Sequence, residues 1–230
     1  MMKVLNVAFL VGVKWGYRLI QAAEEAFNVG KLSSSRPWKE DSLLYIGARL
    51  DGLMFSFSRL KGTIDKLLQE VDCIDEETIQ ECLVEGRAIT TNDPSIRLEM
   101  MVHIHSFLFE IDACLEFVTH HVLIPLYADL KKWNHKETKK YITDILREND
   151  INPNYIQELN KLRNHFTHQA SAHIAVSIED RDILVMKSNI NNYDNPSDYF
   201  LLGRDLSELH SEFWKSLLVL EALIVEDLKG

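Results

Sequence analysis

The sequence predicts an all-α protein, a bundle of about six helices with a small β-hairpin, residues 172–187, set before the last helix. Three observations carry this. Through most of the chain the apolar residues recur at i, i+3 and i+4, which lines them up on one face of a helix. Glycine and proline number only 9 and 5 in 230 residues, too few for the turns of a many-stranded β fold. The helical period breaks only once over any length, between residues 174 and 186, where apolar positions alternate. An apolar share of 46% with 26% charged residues supports a packed core and excludes a disordered chain. No long Pro-, Gly- or Ser-rich linker divides the chain, so the expectation is one domain, 1–230.

The elements follow in order. The run Val4–Val13 is apolar, and the pattern continues through Trp15, Leu19, Ile20 and Ala23 at helical spacing, so it reads as a buried first helix to Phe27 rather than as a leader. Trp15, Tyr17 and Phe27 read as core aromatics of that helix, not as a base-stacking platform. Gly30 and the serines at 33–35 stop it. A second pattern runs from about Lys39 to Val71, and Asp75 then caps a short helix to about Glu85. Asn92-Asp93-Pro94 is a start signal for a strongly apolar helix from Ser95 to about Val122, which Pro125 kinks or ends. His135–Glu148 and Pro153–His168 read as shorter helices. In the hairpin, Ile174, Val176 and Ile178 alternate with Ala175 and Ser177, residues 179–182 form the turn, and Ile183–Met186 return. An Asn-rich loop through Pro196 precedes a closing helix, Arg204 to Leu228.

Charge and cysteine content narrow the function classes. A net charge of −10 argues against a protein that coats nucleic acid generically, because neutralising phosphates needs a basic surface. The charge is uneven, however: Lys131–His168 carries +3, which leaves room for a local anion site. Cys73, Cys82 and Cys114 are an odd set without a CxxC pair, which points to a reducing compartment, the cytoplasm, rather than to disulfides or a zinc knuckle. No stretch reaches the roughly 20 apolar residues of a membrane span, so no membrane partner is expected.

The run from Arg163 to His168 is the best candidate for chemistry. With Arg163 at 0° and about 100° per residue, Tyr155, Leu159, Leu162 and Phe166 fall between about 260° and 320°, a compact apolar stripe. Asn164, Thr167 and His168 fall between about 40° and 140°, with Arg163 at the border, so Arg163, Asn164 and His168 can converge on one ligand. The segment Leu162-Arg163-Asn164-His165-Phe166-Thr167-His168 resembles the RNxxxH form of the Arg-x4-6-His motif of the HEPN family. Members of that family are small helical bundles, often dimers, and many are metal-independent endoribonucleases acting as toxins or defence effectors. The resemblance implies that Arg163 and His168 are the catalytic pair, that Asn164 supports them, and that Leu162 and Phe166 anchor the helix. A bare Arg-x4-His arises roughly 0.4 times by chance in such a composition, and roughly 0.02 times with Asn after the Arg. HEPN toxins paired with a nucleotidyltransferase carry a Tyr two residues after the His, where this chain has Ala170.

The chemistry suits the residues. Cutting RNA without a metal needs a base for the 2′-hydroxyl proton, an acid for the leaving 5′-oxygen, and a cation for the charge on phosphorus. An imidazole titrates near neutrality and an arginine fork matches phosphate. One His168 supplies one proton-transfer group; a homodimer supplies two, and His165 and Thr167 are candidates for assistance. RNA or a nucleotide is then the expected ligand, a protein antitoxin a further partner, and no metal or cofactor is called for. The alternative is a catalytically inactive helical module binding RNA, a nucleotide or a protein through the same face, with Arg163 paired to a carboxylate such as Glu158 or one on a neighbouring helix and His168 capping the helix end. Two other pairs fit the looser spacing, Arg97 with His103 and Arg204 with His210, without the apolar anchors. The pairs Glu99/His103 and Glu116/His120 offer i, i+4 metal ligands, but about 25 Å apart along one helix. No Gly-rich phosphate loop or GxSxG elbow occurs.

Overall fold

A computed structural model describes residues 12, 15–39, 41–85, 93, 95–168, 174–186, 195 and 198–230, with Glu85, Thr167 and His168 described in their backbone only. The helices are α1 (Tyr17–Asn28), α2 (Ser42–Asp72), α3 (Glu76–Glu85), α4 (Ile96–Glu116), α5 (Ile124–Leu130), α6 (His135–Glu148), α7 (Tyr155–His168) and α8 (Leu202–Lys229). The strands are β1 (Ile174–Ser177), β2 (Asp182–Met186) and β3 (Tyr199–Leu201). The protein is thus mostly helical with a small three-stranded antiparallel sheet. Of the expected elements, residues 4–11, the Asn92 and Pro94 signals, most of the Asn-rich loop and position 170 lie outside the described residues. The expected first helix from Val4 through Phe27 is corrected where it is described: Gly12 is a bend, Trp15 and Gly16 form a turn, and the helix begins only at Tyr17.

The chain forms two compact units, one of Met1–Gly52, Glu110–Ile151 and Ser216–Gly230, the other of Leu53–Phe109 and Asn152–Lys215. Three of the four boundaries fall inside helices, α2, α4 and α8, which is why no linker marks them in the sequence.

In the first unit Gly16 precedes α1 with φ 83°, a left-handed conformation that glycine adopts without strain. Its N–H donates to Glu221 Oε1 at 3.0 Å, and a Cβ there would lie 2.8 Å from Leu43 Cδ2. Trp15 is buried, its indole N–H donating to the Leu217 carbonyl at 3.0 Å. Tyr17 and Phe27 correct the expectation of three core aromatics: they are 59% and 43% exposed, and Leu19, Ala22, Ala23 and Ala26 fill the buried face instead. Pro125 does not end its helix. The chain widens into a π-helical stretch, Phe117–Leu123, and continues as α5 with Pro125 in the first turn, where a missing N–H costs nothing. The carbonyl that Pro125 leaves without its usual i+4 donor belongs to His121, and it accepts the Lys39 N–H at 3.0 Å. Asn134 closes a capping box with Glu137 at the start of α6. The phenols of Tyr127 and Tyr141 both donate to Asp227 Oδ2, at 2.7 and 2.6 Å, tying α5 and α6 to α8.

In the second unit Asp75 caps α3 as expected, accepting the Thr78 N–H at 2.8 Å. The hairpin forms with Ile174 opposite Val185 and Ser177 opposite Asp182, but Ile178 lies in the turn, half exposed, where Arg181 takes φ 51°. Arg181 grips Asp72 with two hydrogen bonds of 2.9 and 2.8 Å. The strand β3, not expected from the sequence, pairs with β2, Leu184 opposite Leu201, making β2 the central strand and burying all five of its residues. The closing helix starts at Leu202, two residues earlier than expected, because Asp182 on β2 reaches its first amides: Gly203 and Arg204 N–H donate to the two carboxylate oxygens at 2.7 and 2.8 Å.

Candidate functional site

Helix α7 belongs to the second unit and opens on an Asx turn, Asn154 N–H donating to the Asn152 side-chain oxygen at 3.0 Å. Its apolar stripe is as expected: Tyr155, Leu159, Leu162 and Phe166 are all buried. Between and beside these anchors, Arg163 is half-buried and Asn164 exposed, so the two sit next to each other at the edge of the packed face. His168 is the last helical residue. It stands about 7.5 Å along the axis from Arg163 at 1.5 Å per residue. The side chains of Thr167 and His168 lie outside the described residues.

His165 occupies a different environment. It is 6% exposed, and its ring lies edge-on to those of Phe166 and Phe200, both with centroids 5.3 Å away. Phe200 comes from β3, so the buried arc of α7 is broader than the apolar stripe alone indicates. Nothing in the sequence marks a three-residue strand as the cover for this histidine. Glu158, the carboxylate considered as an internal partner for Arg163, is engaged by Lys161 at 2.6 Å.

The rival constellations are used elsewhere. Arg204 binds its neighbour Asp205, Nε to Oδ1 at 2.9 Å. His210 stacks on Phe57, ring centroids 4.1 Å apart and 13° from parallel, and its Nε2 accepts the Trp214 indole N–H at 2.9 Å. Burial, and then the charge of Lys61, hold this imidazole below its ordinary value. Arg97 and His103 stand six residues apart, about 240° around α4, and diverge. Glu99 pairs with Lys66 at 3.7 Å, and the ring of His120 meets that of His135 with centroids 5.0 Å apart. Among the described residues no three His, Cys, Asp or Glu side chains gather as a metal site. Cys114 is buried and its thiol is pushed up to about 12 by burial first, which leaves it a weak nucleophile. No helix among the described residues is long and apolar enough to cross a membrane.

No family model, curated protein or solved structure matches the chain.

Proposed function

We propose that the protein is a metal-independent endoribonuclease of the HEPN type, a toxin or defence effector acting as a homodimer, with its site on α7. The observation that carries this reading is the placement of Leu162-Arg163-Asn164-His165-Phe166-Thr167-His168 at the end of a helix whose Leu162 and Phe166 are buried while Asn164 faces solvent and Arg163 sits at the border. A half-buried arginine at such a border packs its stem, and a guanidinium matches phosphate in two-pronged fashion.

In the proposed reaction the 2′-oxygen of the RNA loses its proton and attacks the adjacent phosphorus. The bond from phosphorus to the 5′-oxygen breaks, and that oxygen gains a proton. Products are a 2′,3′-cyclic phosphate and a 5′-hydroxyl. Arg163 stabilises the charge on the phosphoryl oxygens, His168 moves a proton at the 2′- or 5′-oxygen, and Asn164 orients one of them. A second copy supplies the second proton-transfer group.

The test is cleavage of a broad set of end-labelled RNAs in EDTA by folded, purified protein. Cutting to cyclic-phosphate ends is expected, lost by about 10²–10⁴-fold in His168→Ala, the usual weight of a proton-transfer group, and by about 10²–10³-fold in Arg163→Ala, the usual weight of a charge-stabilising donor. A folded dimer that leaves every RNA intact overturns the nuclease reading. Binding without cutting, unaffected by His168→Ala, assigns the helix to an inactive RNA-binding module instead.

A further inference from the structure

Helix α6, which lies entirely in the first unit, segregates its charges into two strips. With Lys136 at 0° and about 100° per residue, Lys139, Lys140, Thr143 and Arg147 fall within about 60° of it on either side. Glu137, Asp144 and Glu148 share a separate arc near about 100°. Of the buried residues, Thr138 and Ile145 lie opposite the strip, near about 190°, and Leu146 borders it beside Lys139. The basic strip is therefore a solvent-facing row at i, i+3, i+4 and i+11, with Lys136, Lys139, Lys140 and Arg147 all exposed.

Two further features set it apart from an ordinary solvated face. Neighbouring cations are neutralised locally: Lys131 by Asp227 at 3.6 Å, Lys132 by Asp129 at 3.6 Å, Arg147 by Asp144 at 3.8 Å. Among the described residues no carboxylate pairs with Lys136, Lys139 or Lys140. Glu137 is unavailable, since its Oε2 accepts the Asn134 N–H at 2.7 Å in the capping box. Beside the row, His135 begins α6 against His120, and His120 is held below its ordinary value by desolvation first and then by the charge of Lys139. In a chain of net charge −10, three unmatched lysines in one row are a concentrated exception. The three lysines span about 6 Å of the helix axis at 1.5 Å per residue. At about 3.4 Å of rise per nucleotide along one helical strand, that covers about two to three phosphates.

We infer that the row Lys136, Lys139 and Lys140 is a docking surface for the phosphodiester backbone of RNA, engaging phosphates without reading sequence. Charge complementarity supports a polyanion; the choice of RNA rests on the proposed nuclease reading. Contacts of this kind position a strand and do not specify it.

The probe is a fluorescein-labelled 2′-O-methyl RNA of mixed sequence, which has no 2′-hydroxyl and cannot be cut, titrated with full-length protein in EDTA and followed by anisotropy. Three lysine contacts give a log–log salt slope of about −2, so affinity falls about 20-fold between 50 and 200 mM salt. Lys136→Glu/Lys139→Glu/Lys140→Glu is expected to weaken binding at least tenfold and to flatten the slope. Replacing the same lysines by Gln, a milder change, flattens it equally. A charge-matched control at Lys31, Lys66 and Lys215 changes affinity by less than threefold. Absence of binding by the native protein, a Gln or Glu triple variant that binds like the native one, or sedimentation with phosphatidylserine vesicles in place of RNA binding each overturns the inference. Failure of the two readings is distinguishable: binding through these lysines without cleavage of ordinary RNA sinks only the nuclease, and cleavage with unaltered affinity in the triple variant sinks only the docking surface.

Discussion

Asp182→Ala is expected to be among the most damaging single polar substitutions in the second unit. The carboxylate is 7% exposed and accepts three backbone N–H groups, from its neighbour Ile183 at 2.6 Å and from Gly203 and Arg204 at 2.7 and 2.8 Å. It therefore acts as the cap of α8 from a neighbouring strand, placing a negative charge where the helix presents unsatisfied amides and the positive end of its dipole. A hydrogen bond to a charged group contributes about 1.5–3 kcal/mol net, and loss of an N-cap costs about 0.5–2 kcal/mol. The two figures describe overlapping interactions, so the alanine variant should lose about 3 kcal/mol rather than their sum. At about 2–4 °C per kcal/mol for a chain of this size, the melting temperature falls by about 6–12 °C. Asp182→Asn keeps one acceptor and should lose about half as much. Gly203→Ala attacks the same contact from the other side, because its Cβ would lie 2.8 Å from Asp182 Oδ1. Thermal and urea unfolding followed by circular dichroism measure all three. An Asp182→Ala protein within about 0.5 kcal/mol of the native one, the range of ordinary surface changes, refutes the capping argument.

Two further outcomes follow from other parts of the structure. Asp227→Ala removes the common acceptor of Tyr127 and Tyr141 and the partner of Lys131, and should destabilise by about 3 kcal/mol in urea unfolding, while Tyr127→Phe costs less because the carboxylate keeps Tyr141. Ultraviolet titration should find the Tyr141 phenol pushed up to about 12, by desolvation first and then by donating to Asp227. His210 gives the pH dependence. Its folded-state affinity for a proton lies below the ordinary value of 6.5, so the unfolded chain binds more protons. Its contribution to stability is intact above 6.5, erodes as pH falls from there toward the lowered folded value, and levels off below it. Protonation also ends Nε2's role as acceptor for Trp214. His210→Phe should flatten the pH profile of the unfolding midpoint in that window, and an unchanged profile would count against the assignment.

How much of this was legible in the sequence depended on the range of the interactions involved. Periodicity located α2, α3, α6 and α7 closely, because the side chains that bury each helix are its own. The cap of α3 by Asp75 and the capping box at Asn134 are likewise local patterns. What failed was set at a distance. Tyr17 and Phe27 fit the spacing of α1, but the buried strip of that helix is narrow and alanine-rich, so their rings face out. Pro125 is a helix breaker by itself, yet the π-helical stretch before it and the Lys39 N–H on the His121 carbonyl remove the penalty. The three residues of β3 carry too little pattern to announce a strand and acquire it from pairing with β2. At the candidate site the anchors Leu162 and Phe166 and the exposed Asn164 were readable from a helical wheel, whereas the burial of His165 depends on Phe200, 35 positions later in the chain.

That burial separates two roles for His165. On the wheel it lies about 100° from Asn164 and about 160° from Arg163, away from the arc that a phosphate would approach. With its ring packed in one cluster with those of Phe166 and Phe200, it fixes the rotation of α7 about its axis, and so the angle at which Arg163 and Asn164 leave the packed face. A group in that position is a positioning residue. His165→Leu should therefore lower the unfolding midpoint while the folded variant, at saturating RNA, cuts within about threefold of the native rate, far short of the 10²–10⁴ that removing a proton-transfer group costs. The pH profile of cleavage should keep its shape as well. A rate loss of that larger size with an unshifted unfolding midpoint would make His165 a second proton carrier and would put the phosphate on the other side of the helix.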